Sequence, residues 1–260
     1  MNYSVVILSY NHPDLTSQCI DSVLKFSQIN HIYLVHNGSI PKHSEQLKKK
    51  FPQIIHLTVT QNKGFTGGAN YGLQKAFETE KLVLFLTNDT LLLNLPDKLD
   101  ADLCSIKVLR RKSDSIDSTI GRLNIKTGRL EHLKEWSNDK NSNYKYYVPG
   151  SAFWISKKTF LATQGFDENL HSYWEDVDLS LRAQNQGITL TYSAETIVSH
   201  KIGKTTGGQD FYSYYLYQRN RKRIMKKHKL SHWRFWILFL VDVLRLSRLR
   251  WRKLRDILMD

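Results

Sequence analysis

Short apolar runs, each closed by a turn cluster and followed by a segment of helical spacing, recur through roughly the first ninety residues. This alternation constrains the fold more than any other feature of the chain. Val5 to Leu8 ends at Ser9-Tyr10-Asn11-His12-Pro13, and Leu15, Cys19, Val23 and Phe26 then fall on one helical face. Ile32 to Val35 ends at Asn37-Gly38-Ser39, and a Lys-rich helix is expected around Glu45 to Lys50. Ile54 to Val59 leads through Gln61-Asn62-Lys63-Gly64-Phe65-Thr66-Gly67-Gly68-Ala69-Asn70 into a helix from about Ala69 to Glu78, before the run Leu82 to Leu86. The pattern predicts an α/β fold with a mostly parallel sheet between helices, whose strand-ending turns gather at one carboxyl edge as a ligand crevice.

Later segments read less regularly. Strands are expected at Ser118 to Leu123, Tyr144 to Val148, Ala152 to Ile155 and Ile188 to Tyr192, and helices at Lys157 to Thr163 and Glu175 to Gln186. From residue 211 the character changes. Tyr212, Tyr214, Tyr215 and Tyr217 precede Arg219, Arg221, Lys222, Arg223, Lys226 and Lys227; farther on, Leu240, Leu244, Trp251, Leu254 and Leu258 alternate with Arg245, Arg248, Arg252 and Arg255. An apolar face beside a basic stripe is the pattern of a helix lying on anionic lipid, with packing on the domain or on a second subunit as the other reading.

With 41% hydrophobic and 12% aromatic residues the chain can build a core, which argues against general disorder. Its 38 Lys and Arg against 24 Asp and Glu give a net charge of +14 and favour anionic partners. Two cysteines, Cys19 and Cys104, make neither a disulfide framework nor a cysteine metal cluster, so a reducing cytoplasm is the expected compartment. A strand pattern begins at Tyr3, so no signal segment is expected ahead of it. The most apolar late stretch, Trp233 to Val241, is too short to span a bilayer.

Two acidic clusters carry the chemistry. Asp89, in Asn88-Asp89-Thr90, closes the Leu82 to Leu86 run where α/β folds bind ligands and metals, and carboxylate with phosphate oxygens suits Mg2+ or Mn2+. Glu175-Asp176-Val177-Asp178 opens the later helix; Asp178 has an ion-pair partner four residues on in Arg182, whereas Glu175 and Asp176 have none in view. Neighbours on a helix diverge by about 100°, so the two acids can take different roles. Gly64, Gly67 and Gly68 allow backbone to approach a ligand ahead of a helix N-terminus that favours phosphate. His200 precedes a Gly-rich stretch of the kind that can close over a site.

Together, in order and spacing, VVILSYN, NGS, NKGFTGGANYG, LTNDT, VPGSAFWISKKTF, GFDENLHSYWEDVDLSLR and SHKIGKTT resemble the family 2 inverting glycosyltransferases of the GT-A fold, especially rhamnosyltransferase-like bacterial members. The resemblance runs from Val5 to about Gly208. It implies a GT-A domain over 1–210, divided into a nucleotide-sugar half (1–94) and an acceptor and catalytic half (95–210), with 211–260 as a basic helical tail. Tyr10, Asn11, Asn37, Asn62, Asn70 and Asn88 match positions around the nucleotide sugar. Asp89 matches the metal-binding acid and His200 the histidine that completes the metal site. Asp176 matches the catalytic base, with Glu175 beside it. Two positions depart from the family pattern: His36 stands where an acid usually precedes NGS, and the DxD-type motif is reduced to one carboxylate.

The resemblance implies metal-dependent, inverting transfer from a UDP- or dTDP-sugar to a glycan or lipid-linked glycan, by a peripheral protein on the inner face of the plasma membrane. A homodimer is compatible with the tail. Two other readings compete: a nucleic-acid-binding module built on the Tyr/Arg segment, which leaves the ordered motifs unused, and a nucleotidyltransferase, which leaves the second acidic cluster unused. A nucleic-acid partner is therefore not expected.

Overall fold

The computed structural model describes residues 3–111, 113, 115–137, 139, 141–200, 211–230, 233–242 and 244. Its first part alternates β1 (Tyr3–Ser9), α1 (Pro13–Val23), β2 (Ile29–Asn37), α2 (Pro41–Lys50), β3 (Ile55–Val59), α3 (Gly64–Ala76) and β4 (Leu82–Thr87). The later part holds β5 (Thr90–Asn94), β6 (Leu103–Arg110), β7 (Ile116–Ser118), β8 (Ile120–Asn124), β9 (Arg129–Leu133), β10 (Tyr144–Tyr147) and β11 (Ala152–Ser156). It closes with α4 (Lys157–Thr163), a 3-10 turn at Glu168–Leu170, α5 (Glu175–Asn185), β12 (Leu190–His200) and α6 (Phe211–Lys227).

Among the described residues the main sheet runs β3-β2-β1-β4-β11-β6-β12-β5, with β7 paired to β6. Strands β3, β2, β1 and β4 are mutually parallel, and β11 enters antiparallel to both β4 and β6. The sheet is therefore mixed and mostly parallel in its first half, as the alternation predicts. Its central strands are apolar because both faces are covered. Val6, Leu8 and Phe85 pack toward Leu73 and Ala76 of α3, while Val5, Ile7, Leu84 and Leu86 pack toward Ile20 and Val23 of α1. Each such side chain, fully buried, contributes about 1.5–3 kcal/mol.

A smaller antiparallel sheet, β10-β8-β9, stands beside the main one. The single strand expected at Ser118 to Leu123 is really two, β7 and β8, which part at Thr119 and join different sheets. Helix α3 starts at Gly64, five residues earlier than its spacing suggests, because the Asn62 side chain accepts from the Gly64 amide at 2.8 Å and serves the free donor of the first turn.

Helix α6 packs on the later part of the chain. Ile224 and Met225 of α6 and Phe235 beyond it join Leu123, Leu170, Trp174, Val177 and Leu181 in a third core. Several cations of the basic tail are paired within the protein, as the reading of a helix packed on the domain expects. Arg221 is 3% exposed and meets Asp242, and Lys227 meets both Asp167 and Asp178. The stripe from Arg245 through Trp251 to Leu258, and the stretch after His200, lie outside the described residues.

Candidate functional site

The carboxyl ends of β1, β2 and β4 open into a cavity of about 910 Å³. Tyr10, Asn37, Asn62, Gly64, Asn88 and Asp89 line it from the first part of the chain, and Gly150, Glu175, Asp176 and His200 from the later part. The crevice forms where the parallel run β1-β4 meets antiparallel β11, so turns from both halves of the chain converge.

Asp89 sits between β4 and β5. Its Oδ1 accepts from the Thr87 hydroxyl at 2.7 Å, and its Oδ2 lies 3.3 Å from His200 Nε2. The contact follows from strand register: β12 runs antiparallel to β5 and places His200 opposite Thr90. Two chain segments more than a hundred residues apart thus present one carboxylate and one imidazole at the sheet edge. Among the described residues no cluster of three or more His, Cys, Asp or Glu could hold a metal. The pair fits a Mg2+ or Mn2+ ion that draws its remaining ligands from phosphate oxygens and water, the habit of metals bound with a phosphate substrate.

The second acidic cluster begins α5. Asp176 Oδ2 accepts from the Gly150 amide at 3.0 Å and its Oδ1 from the Val177 amide at 2.8 Å. Glu175 is buried, and its Oε2 has no hydrogen-bond partner. Burial raises the pKa of both carboxyls, and the charge of Asp176 raises that of Glu175 further. Two backbone amides, of Gly150 and Val177, favour the ionised form of Asp176, whereas Glu175 keeps one buried carboxyl oxygen without a partner. Of the two, Glu175, raised to about 8, is the carboxyl whose surroundings favour the protonated form, and Asp176 is the better placed to carry charge. Asp178 has a different task. It is fully buried against Arg182 at 2.7 Å, His228 at 2.8 Å and Lys227 at 2.9 Å. Burial alone would lift its pKa, but these partners outweigh it and hold it at about 2.

The approach to the acids is strained. His171, Tyr173 and Trp174 have φ of 65°, 70° and 71°, left-handed values that bulky residues rarely adopt. Buried Asn220 of α6 holds them there, donating from Nδ2 to the carbonyls of Leu170 at 2.8 Å, Ser172 at 2.8 Å and Tyr173 at 2.9 Å. Gly64, at φ 70°, lets the turn before α3 press against this loop: a Cβ there would lie 2.4 Å from His171 Nδ1.

Other expected site residues serve as supports within the protein. Asn37 donates to the Gly64 carbonyl at 2.8 Å and accepts from the Lys63 amide at 3.1 Å, fixing the turn that carries Asn62. Asn88 donates to Thr16 at 3.0 Å. Asn11 accepts from the Ile40 amide at 3.0 Å, and Asn70 grips Phe166 through its amide at 2.7 Å and its carbonyl at 2.9 Å. Asn11, Gly67, Gly68 and Asn70 are not among the residues lining the cavity. Gly68 instead faces Leu8 and the Asn37 side chain, and Gly67 faces Lys63 and Glu168.

The structure adds cavity residues that the motifs do not single out: Arg110, Asp117, His132, Tyr173 and Tyr212. His132 lies on β9, whose charged and polar sequence gives little strand signal. Asn220 does leave a trace in sequence, as a polar residue midway between Leu216 and Ile224 on what would be the apolar face of a helix.

Comparison with known proteins adds three likenesses. The chain is 25% identical over 187 residues to the minor teichoic acid biosynthesis protein GgaA of Bacillus subtilis, covering 67% of this chain and 41% of GgaA. It thus spans about two fifths of that relative. A structure of GalNAc-T7 with UDP, GalNAc and Mn2+ superposes with a TM-score of 0.61 at 18% identity, over 80% of this chain and 44% of the other. That of S. aureus TarS 1-349 with UDP gives a TM-score of 0.56 at 12% identity, over 88% and 70%. These structural likenesses speak to the fold. The sequence profile of glycosyl transferase family 2 matches residues 4–149, more than half of the chain, and the protein belongs to that family.

Proposed function

We propose that the protein transfers a glycosyl group from a nucleotide-diphosphate sugar to a hydroxyl of a glycan acceptor, with inversion at the anomeric carbon. The observation that carries this reading is the convergence of the Asp89–His200 pair and the Asp176 carboxylate on one cavity. The donor's diphosphate binds toward Asp89 and His200, beside the turn held by Asn37 and Asn62. A divalent cation bound there supplies positive charge to the departing diphosphate. Asp176, anchored by the Gly150 amide, accepts the proton of the acceptor hydroxyl as that oxygen attacks. A single displacement from the face opposite the leaving group inverts the centre. Neutral Glu175 adds no second negative charge beside the base.

Rhamnose from a dTDP donor, or another sugar from UDP, fits the resemblance of the LTNDT and WEDVD segments to rhamnosyltransferase-like members. A lipid-linked glycan is the acceptor we favour, in assembly of a cell-surface polymer; the name of GgaA, which points to teichoic acid biosynthesis, supports that class. The test is a donor panel of UDP-, dTDP- and GDP-sugars with Mn2+ or Mg2+, read as thermal stabilisation and as nucleoside diphosphate release. Release of pyrophosphate in its place would instead mark a nucleotidyltransferase. No stabilisation by any nucleotide sugar, with Asp89→Ala behaving like the native protein, would overturn the reading.

A further inference from the structure

The residues after α6 form a helix over 233–242 with two unlike faces. Phe235 is fully buried in the third core, with Phe239 packed against it. Arg221 ties this inner face down: its guanidinium bonds Asp242 at 2.6 Å and the Thr127 carbonyl at 2.6 Å, and lies over the Phe235 ring at 5.3 Å. The Tyr214 hydroxyl adds a bond to the Asp242 carbonyl at 3.2 Å. The outer face carries Trp233, Trp236, Ile237, Leu240 and Val241, followed by Leu244, all exposed, with Trp233 at 61% and Leu240 at 59%. At about 100° per residue these positions fall within an arc of roughly 140°. Such a contiguous apolar strip on the outside of a well-packed helix marks an interaction surface.

Charge decides what covers it. Residues 211–260 hold 14 of the 38 Lys and Arg but only three of the 24 Asp and Glu, so most of the +14 excess lies in this fifth of the chain. Two copies meeting face to face would bring these charges together at short range. An anionic lipid surface meets both properties: its acyl boundary takes the apolar strip and its headgroups take the cations. Exposed Lys222 stands beside the strip, 5.9 Å from the Trp236 ring. Among the described residues no helix is long and apolar enough to cross a membrane.

We infer that the exposed face of residues 233–244 docks on an anionic bilayer, held at a fixed angle to the catalytic cavity. The angle is fixed because α6, which clasps this helix, also lines the cavity with Tyr212, Ser213 and Leu216. Docking therefore holds the cavity in one orientation to the lipid surface, on the inner face of the plasma membrane if the acceptor is lipid-linked there.

The test uses the full chain with vesicles of phosphatidylcholine alone or mixed with phosphatidylglycerol. Expected are co-sedimentation at least about tenfold stronger with the anionic vesicles, loss of most of it in about 1 M salt, where the Debye length is about 3 Å, and quenching of tryptophan emission by bromo-acyl lipid. Combining Trp236→Ser, Ile237→Ser and Leu240→Ser should cut partitioning roughly tenfold or more, with an unchanged thermal melt because the three sites are exposed. Equal sedimentation of variant and native protein, or no quenching, would overturn the inference. So would a dimer in light scattering that the same substitutions dissolve while vesicle binding is absent. Binding is read without donor, and an Asp176→Asn protein should sediment like the native one, so failure here is separable from failure of the proposed reaction.

Discussion

The side-chain amide of Asn220 donates to the main-chain carbonyl of Tyr173 at 2.9 Å, across 47 residues of sequence, in the loop that delivers the two acids. The same nitrogen also serves Leu170 and Ser172. Replacing Asn220 by Ala leaves buried carbonyls without a donor and frees left-handed residues to relax. Urea unfolding should show a loss of about 2–3 kcal/mol, and turnover should fall further than donor binding. A loss below roughly 0.5 kcal/mol would mean that the loop holds its shape without the clamp.

The two neighbouring acids should respond differently to removal of charge. Asp176→Asn should abolish turnover while nucleotide-sugar binding, followed by calorimetry, stays nearly intact. Glu175→Gln replaces a group that already holds a proton, so the fold should survive at neutral pH. Because burial raises the pKa of Glu175 when folded, the native state keeps a proton that the unfolded chain gives up. Its contribution to stability therefore declines as pH rises from about 4.5, its unfolded value, toward the folded one, which lies near 8. The Gln variant should lack that decline; an identical pH–stability curve would refute the assignment of the proton.

His36 and His56 bear on stability at the acid side. Their rings stack at 5.2 Å and share a hydrogen bond of 2.9 Å, while His56 Nε2 donates to the Phe51 carbonyl at 2.9 Å. Burial lowers both pKa values, that of His36 to about 4. The unfolded chain takes up these protons first, so stability should fall as pH drops from about 6.5 toward 4, by about 3 kcal/mol. His36→Phe should flatten this part of the curve in chemical denaturation.

Metal and nucleotide should act together at Asp89. Mn2+ with a bound nucleoside diphosphate at a hundredfold excess over its dissociation constant should stabilise the native protein by about 2.7 kcal/mol. Asp89→Ala and His200→Ala should each reduce the metal-dependent part in differential scanning fluorimetry. An undiminished shift in both variants would remove them from the metal site.

The parallel half of the fold was legible because buried strands must be apolar and their turns must contain residues such as Asn37-Gly38. Asp89 could be placed at the sheet edge for the same reason, and the Asp178–Arg182 pair followed from helical spacing alone. Less could be read where packing overrides local pattern. Strand β6 is central, yet Ser105, Lys107 and Arg110 interrupt its apolar run. Strand β12 extends to His200 through the polar stretch Ser193-Ala194-Glu195-Thr196, where its pairing with β6 shifts register. The cations of α6 gave no sign of their partners in sequence; Asp167, Asp178 and the carbonyls of Asn169 and Leu170 are distant in the chain and come near only through the fold.

The Asn220 clamp also fixes the order in which the protein can come to life on the ribosome. Every group in the proposed chemistry is translated by His200, but the residue that sets the loop before Glu175 emerges only afterwards, and α6 needs further chain to complete the third core. A nascent polypeptide halted before residue 220 would carry all its chemical groups and still hold them out of register. Competence would thus come only with α6, the helix that carries Asn220.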